Sequence, residues 1–292
     1  MSEKRIIRVF PRKTEATPTD ELAYANVYNS KGEKLITADP PLLFMPEADE
    51  VHISVSFTYD IPEAERLYRE WERGGVPVKV GGPAFGKPSG ECIPGLYVKK
   101  GYTFTSRGCP NRCWFCSVWR REGNLRTQPI KDGWIVQDDN LLACPEGHIR
   151  NVFDMLSRQP QRPIFTGGIE AKLLKPWHVE LLDRVKVKTM YCAYDAPDDY
   201  EPLLMAGKLL QEANITVENR KACCYVLIGY PADTMEKAEK RLTDTIRAGF
   251  FPFAMLWKDK QGHEDKTWRK FQKEWCRPRI VGVKVKKHLK EA

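Results

Sequence analysis

Three thiols stand within eight residues of this chain, in Cys109-Pro110-Asn111-Arg112-Cys113-Trp114-Phe115-Cys116. A loop this short can wrap one inorganic cluster, with each thiolate taking one iron. A [4Fe–4S] cubane offers more irons than three cysteines can cap, so one stays open to a substrate or cofactor. An open iron is what catalysis needs and electron transfer alone does not. Gly108 and Pro110 favour a tight turn that presents backbone N–H groups to the sulfurs. Arg107 and Arg112 carry charge that can offset an anionic cluster. The alternative is a zinc ion, which takes four ligands where it is structural; Cys92, Cys144 and His148 could supply the fourth.

The rest of the composition suits such a centre. The 9 cysteines are odd in number and unevenly spaced, which is not a disulfide framework. Metal binding in a reducing cytoplasm is the expectation. Of the 292 residues 42% are hydrophobic, enough for a packed core. There is no run of apolar residues long enough to span a membrane and no signal-peptide pattern at the N-terminus. Net charge is +8, and +7 of it falls between Lys258 and Ala292. Such a tail is either a solvated end or a contact for an anionic partner.

Three regions must position the thiols. Residues 1–88 hold strand patterns at Arg5–Phe10, Val51–Phe57 and Val76–Val80, with a helical pattern over Ile61–Arg73. The last strand, helix and strand read as one parallel crossover. Phe85–Gly95, rich in Gly and Pro, reads as a linker. Residues 101–257 alternate. Strands are expected at Tyr102–Thr105, Trp134–Asp138, Pro163–Thr166, Thr189–Ala193, Cys224–Ile228 and Pro252–Leu256. Helices are expected at His148–Ser157, Pro176–Val185, Tyr200–Ala213 and Thr234–Ala248. This is an α/β pattern for a parallel barrel or a doubly wound sheet, and in either the site lies at the C-terminal ends of the strands. Residues 258–292 form a basic extension. In it Trp268, Phe271 and Trp275 share a helical face, and Val281, Val283 and Val285 alternate like an edge strand.

CxxxCxxC with Phe115 before its last cysteine, directly after the first strand of an alternating region, resembles the radical SAM superfamily. The resemblance spans roughly residues 102–256. It implies a partial (β/α)6 TIM-like barrel, a [4Fe–4S] cluster on Cys109, Cys113 and Cys116, and S-adenosyl-L-methionine on the open iron. It implies an electron donor such as flavodoxin or ferredoxin. It also implies that reductive cleavage releases a 5′-deoxyadenosyl radical that abstracts hydrogen. Other positions match more loosely. Asp139 and Asn140 end the second strand, as in relatives that carry a cobalamin-type domain. Thr166-Gly167-Gly168-Ile169-Glu170 is the nearest copy of the Gly-Gly-Glu signature that meets the amino group of S-adenosylmethionine. Asp195 ends the fourth strand, and Cys224–Pro231, with Ile228 and Tyr230, is similar to the segment along the adenine.

Residues 51–83 resemble the second half of a Rossmann-like cobalamin-binding domain. The Asp-x-His-x-x-Gly loop of such domains is missing: Phe10-Pro-Arg-Lys-Thr-Glu stands in its place, and His52 falls inside a strand. No cobalamin is expected. Cys192, Cys223 and Cys224 read as buried packing, although a strand thiol aimed into the barrel could donate a hydrogen atom. The competing class is a non-catalytic nucleic-acid-binding module with a structural metal. Its support is the basic, aromatic extension, through which a nucleic acid could also be an enzyme's partner.

Overall fold

A computed structural model gives the chain's structure over residues 4–18, 27–28, 34–38 and 47–291. The N-terminal part comprises β1 (Arg5–Val9), β2 (Val27–Tyr28), β3 (Lys34–Ala38), β4 (Glu50–Ser54), α1 (Ile61–Glu72) and β5 (Val78–Gly81). Its sheet runs β2-β3-β1-β4-β5. All pairs are parallel except β2–β3. Alternation buries Val51 and Ile53 of β4, and helical spacing buries Ala64, Leu67 and Trp71 of α1. These residues meet Ile7, Val9 and Val55 in one apolar cluster.

The remainder comprises β6 (Tyr102–Thr103), β7 (Ser106–Arg107), α2 (Val118–Arg121), β8 (Arg126–Thr127), β9 (Ile135–Val136), α3 (Glu146–Ser157), β10 (Ile164–Phe165), α4 (Pro176–Arg184), β11 (Thr189–Ala193), α5 (Tyr200–Glu212), β12 (Ala222–Ile228), α6 (Met235–Arg247), β13 (Phe251–Leu256), α7 (Lys266–Cys276) and α8 (Pro278–Glu291). Six strands form a parallel sheet in the order β6-β9-β10-β11-β12-β13, which follows the chain without reversal. The protein is therefore mixed α/β. All six strands expected in residues 101–257 are found, with β6, β9 and β10 trimmed to two residues each. Beyond β6 the Thr105 N–H goes to the Asp138 side chain instead of a ladder carbonyl.

Apolar residues on one face of the sheet, among them Met190, Val226 and Ala254, pack with Val152, Phe153, Leu182, Leu203, Leu242 and Ile246 of the helices. Each Val, Leu, Ile, Phe or Met side chain among them contributes about 1.5–3 kcal/mol when removed from water. No helix among the described residues is long and apolar enough to cross a membrane.

Two expectations fail here. The extension has no edge strand: α8 covers residues 278–291. Val281 and Val285 are buried while Val283 is 70% exposed, so the burial period is four, not two. Pro278 suits a helix start, where its missing N–H costs nothing. Nor do residues 85–95 form a free linker. Arg8 donates to the carbonyls of Gly95 and Leu96, at 2.8 and 2.7 Å. Ser89 gives its N–H and hydroxyl to the buried Glu122 carboxylate, at 3.0 and 2.6 Å. The aromatic face of the extension is as expected: Trp275 is 1% exposed, and Trp268 and Phe271 pack on the main core.

Candidate functional site

The thiol loop leaves the C-terminal end of β6 and is fastened from below by the residues after β9. Asp138 is buried and accepts the Thr105 N–H, the Thr105 hydroxyl and the Ser106 hydroxyl, at 2.6, 2.6 and 2.8 Å. Burial raises its pKa, and these hydrogen bonds oppose the rise. Removing this carboxylate would orphan buried donors, at about 1–3 kcal/mol each. Asp139 takes the next step, its Oδ2 accepting the Gly108 N–H at 2.8 Å. Asn140 takes the third: Nδ2 donates to Cys109 Sγ at 3.5 Å and to Glu170 Oε2 at 2.6 Å. Three consecutive side chains thus fix the loop as it approaches its first cysteine.

Two glycines permit this closeness. Gly108 has φ +82°, and a Cβ there would fall 2.3 Å from the Asn124 carbonyl oxygen. Gly168 has φ +79°, and its Cβ would meet the Asp138 carbonyl oxygen at 2.9 Å. Both positions need the left-handed region that glycine enters freely. The loop is closed by β7 and β8, which pair antiparallel. Glu122, just beyond α2, ties the closure. Burial would raise its pKa, but hydrogen bonds from Ser89, Arg121 and Arg126 outweigh that and hold it at about 2.

Cys109, Cys113 and Cys116 are free and half-buried. Burial raises the Cys113 thiol pKa, and the charges of Cys116 and Cys109 raise it further. Burial likewise raises Cys116, and Cys109 adds to it. Three thiolates on one loop repel one another, which a cationic centre relieves. Among the described residues, no three His, Cys, Asp or Glu groups converge to hold a single metal ion. A zinc ion requires its sulfurs about 2.3 Å from one centre. Of the fourth ligands considered for zinc, two have other contacts: His148 Nε2 lies 3.3 Å from Thr105 Oγ1 and the Cys144 thiol points to the Asn140 carbonyl at 3.9 Å; Cys92 is free and lines a cavity.

The other expected site residues fall into two groups. Asp139, Asn140, Gly167, Gly168 and Glu170 gather at the Cys109 side. Phe115 and Tyr230 gather on Trp114, with ring centroids 5.4 and 5.5 Å away. The Arg241 guanidinium lies over Tyr230 at 5.3 Å and donates to Leu227 O and Asp233 Oδ2, both at 2.9 Å. Ile228 is fully buried at the end of β12. Asp195 Oδ1 accepts the Leu227 N–H at 2.8 Å, and burial pushes its pKa up to about 6.

A cavity of about 700 Å³ adjoins the loop. Ser54, Val80 and Gly81 from the ends of β4 and β5 face Phe104, Asp139 and Gly167 from the ends of β6, β9 and β10 across it. Asp139 and Gly167 are the two expected cofactor residues that line it. The segment read as a linker forms one wall. The fastening role of Asp138 and the stacking role of Trp114 were not read from the sequence, although both residues sit inside quoted motifs. The strand thiols are shut away: Cys192 and Cys224 are at most 2% exposed, and burial pushes Cys192 up to about 12. No family model matches the chain, and no curated protein matches it.

Proposed function

We propose that the chain is a radical SAM enzyme. The observation that carries the reading is the junction of Cys109, Asn140 and Glu170: a thiol loop fastened at the C-terminal edge of a parallel sheet, with a carboxylate linked to its first cysteine. The unreversed strand order supports a partial (β/α)6 barrel for residues 101–257, because a doubly wound sheet reverses its order. In the N-terminal sheet β1 is central and the order does reverse there, which supports a Rossmann-like unit over residues 1–88.

Cys109, Cys113 and Cys116 would hold a [4Fe–4S] cluster. The donor set suits it, being three half-buried thiols on one loop. Bound together, the reduced cluster and S-adenosyl-L-methionine supply one-electron cleavage of a sulfonium and, from it, hydrogen abstraction at an unactivated carbon.

This chain's own residues do the positioning. Glu170 offers a carboxylate to an ammonium group, and Asn140 fixes that carboxylate against the loop. Gly167 and Gly168 let a ligand approach the backbone. Tyr230, held between Trp114 and Arg241, and Phe115 give aromatic surface for a base. Ile228 and Asp195 stand at the ends of neighbouring strands, with Asp195 Oδ1 joined to the Leu227 N–H.

An electron donor such as a flavodoxin or ferredoxin is needed. A nucleic-acid contact through the extension is a further proposal, favoured by the exposed Lys286, Lys287 and Lys290 of α8. The buried Trp275 takes no part in it.

Anaerobic reconstitution with iron and sulfide tests the reading, followed by absorbance and EPR with and without S-adenosylmethionine. Broad absorbance near ~400 nm and an EPR signal altered by S-adenosylmethionine are expected. Stoichiometric zinc in a colourless protein would overturn it.

A further inference from the structure

The cavity beside the thiol loop has a volume of about 700 Å³, within the roughly 300–1,000 Å³ of small-molecule sites. Its walls are largely apolar, with Ile53, Val80, Ile93 and Phe104 among them. Most of its charges are already answered. Lys79 is 2.8 Å from Glu50, Arg121 is 2.9 Å from Glu122, and Glu91 is 3.0 Å from Lys131.

Two cations are not answered in this way. Arg107 and Lys87 line the cavity with no carboxylate at ion-pair distance among the described residues. The Arg107 guanidinium sits over the Phe104 ring, 3.6 Å from its centroid. Its Nε is buried and without a hydrogen-bond partner. A guanidinium held by an aromatic ring keeps its donors for an oxyanion, which it meets as a fork. Lys87, on the exposed segment beyond β5, adds a second point charge to the lining. The Asp139 carboxylate at the same cavity accepts the Gly108 N–H and, with Glu122, attracts the Arg107 guanidinium from beyond ion-pair distance. A phosphate monoester, carrying about −1.5 to −2 charges at pH 7 and three acceptor oxygens, can meet the Arg107 fork and still present an oxygen to Lys87.

We infer that this cavity is the substrate site and takes a phosphorylated organic molecule of nucleotide size. Arg107 and Lys87 bind the phosphate, and the apolar walls hold the body. The inference rests on the adjoining loop being the reaction centre.

Cys92 is a half-buried thiol lining the same cavity, which makes it a local reporter. The full chain, with and without reconstituted cluster, is treated with iodoacetamide, and Cys92 labelling is followed by peptide mass spectrometry. The probes are uridine monophosphate, uridine and inorganic phosphate. At ten times its dissociation constant, uridine monophosphate should slow labelling about tenfold. Uridine and inorganic phosphate at the same concentration should not. Arg107→Gln should abolish the protection and Arg107→Lys should keep part of it. Lys87→Gln, at an exposed position, should weaken it without risk to the fold.

Equal protection by the nucleotide and by either control would overturn the inference. So would undiminished protection in both Arg107→Gln and Lys87→Gln, or no protection by the nucleotide. Labelling needs no cluster, so the two readings fail separately. A protein that binds S-adenosylmethionine on its cluster but shows no protection sinks this inference alone. Protection in a chain that assembles no cluster sinks the enzymatic reading and leaves the cavity a phosphate-ligand site rather than a substrate site.

Discussion

Asn140 Nδ2 lies 3.5 Å from Cys109 Sγ. The same nitrogen donates to Glu170 Oε2 at 2.6 Å. One amide therefore joins the thiol loop to the segment after β10, and consequences for cluster, cofactor and fold follow from it.

Alanine at Cys109, Cys113 or Cys116 should abolish the broad absorbance near ~400 nm after reconstitution, since each thiolate caps one iron. Alanine at Cys92, Cys144 or Cys276 should leave it intact, because these thiols lie outside the triplet. Iron and sulfide analysis on each variant checks both halves.

Glu170→Ala should leave the cluster absorbance in place but remove the change in its EPR signal on adding S-adenosylmethionine. Glu170→Gln keeps an acceptor for Asn140 but loses the charge. It should preserve thermal stability and still weaken S-adenosylmethionine binding, by roughly tenfold for about 1.4 kcal/mol. Equal S-adenosylmethionine affinity in wild type and both variants would confine Glu170 to packing.

Acid should loosen the loop closure through Glu122. Its side chain is buried, and Ser89, Arg121 and Arg126 hold its pKa at about 2 in the folded state. A depressed pKa contributes stability that is present above the unfolded value, near ~4.3, and is lost as pH falls through the folded value. Urea unfolding between pH 6 and pH 3 should show the larger part of this loss, on the order of 1.5–2 kcal/mol, with the remainder below pH 3. Glu122→Gln should be less stable at pH 6 and should flatten the pH dependence. A parallel profile in that variant would place the acid sensitivity elsewhere.

Hydroxocobalamin should not bind. The loop after β1 lacks the histidine motif, and His52 has both ring nitrogens engaged, Nδ1 with Tyr97 at 2.6 Å and Nε2 with Glu50 at 2.8 Å. Titration should leave the corrin spectrum unperturbed; stoichiometric micromolar binding would show the N-terminal unit to be competent after all.

The extension should act independently of the loop. The Pro278 carbonyl at the start of α8 is 3.5 Å from Arg220, which precedes β12, so the helix begins at the sheet end opposite the thiols. Replacing Lys284, Lys286, Lys287 and Lys290 by Gln should reduce low-salt binding of a short single-stranded oligonucleotide and flatten its salt dependence. The cluster absorbance should not change. Identical oligonucleotide binding after the replacement would remove the case for a nucleic-acid contact there.

The thiol triplet, the alternation of strands and helices over residues 101–257 and the apolar face of α7 are all legible along the chain. Each is a local pattern: a spacing of side chains along a few turns or one strand shows which face is buried. What those elements do together depends on contacts between distant parts of the chain. Asp138, Asp139 and Asn140 look equivalent along the chain, yet the first is buried under Thr105, the second holds Gly108 and the third reaches Cys109. Those partners lie 31 to 33 residues away, and a hydrogen bond across that distance leaves no local signature. The same holds for residues 85–95, whose Gly and Pro content is that of a linker although Glu122 fastens them as a cavity wall. In α8 the residues Val281, Val283 and Val285 fit a strand period and a helix period equally, until packing against α6 and α7 buries the first and third and leaves the middle one in water. A short apolar repeat specifies its period only when a neighbouring surface chooses which of its side chains to bury.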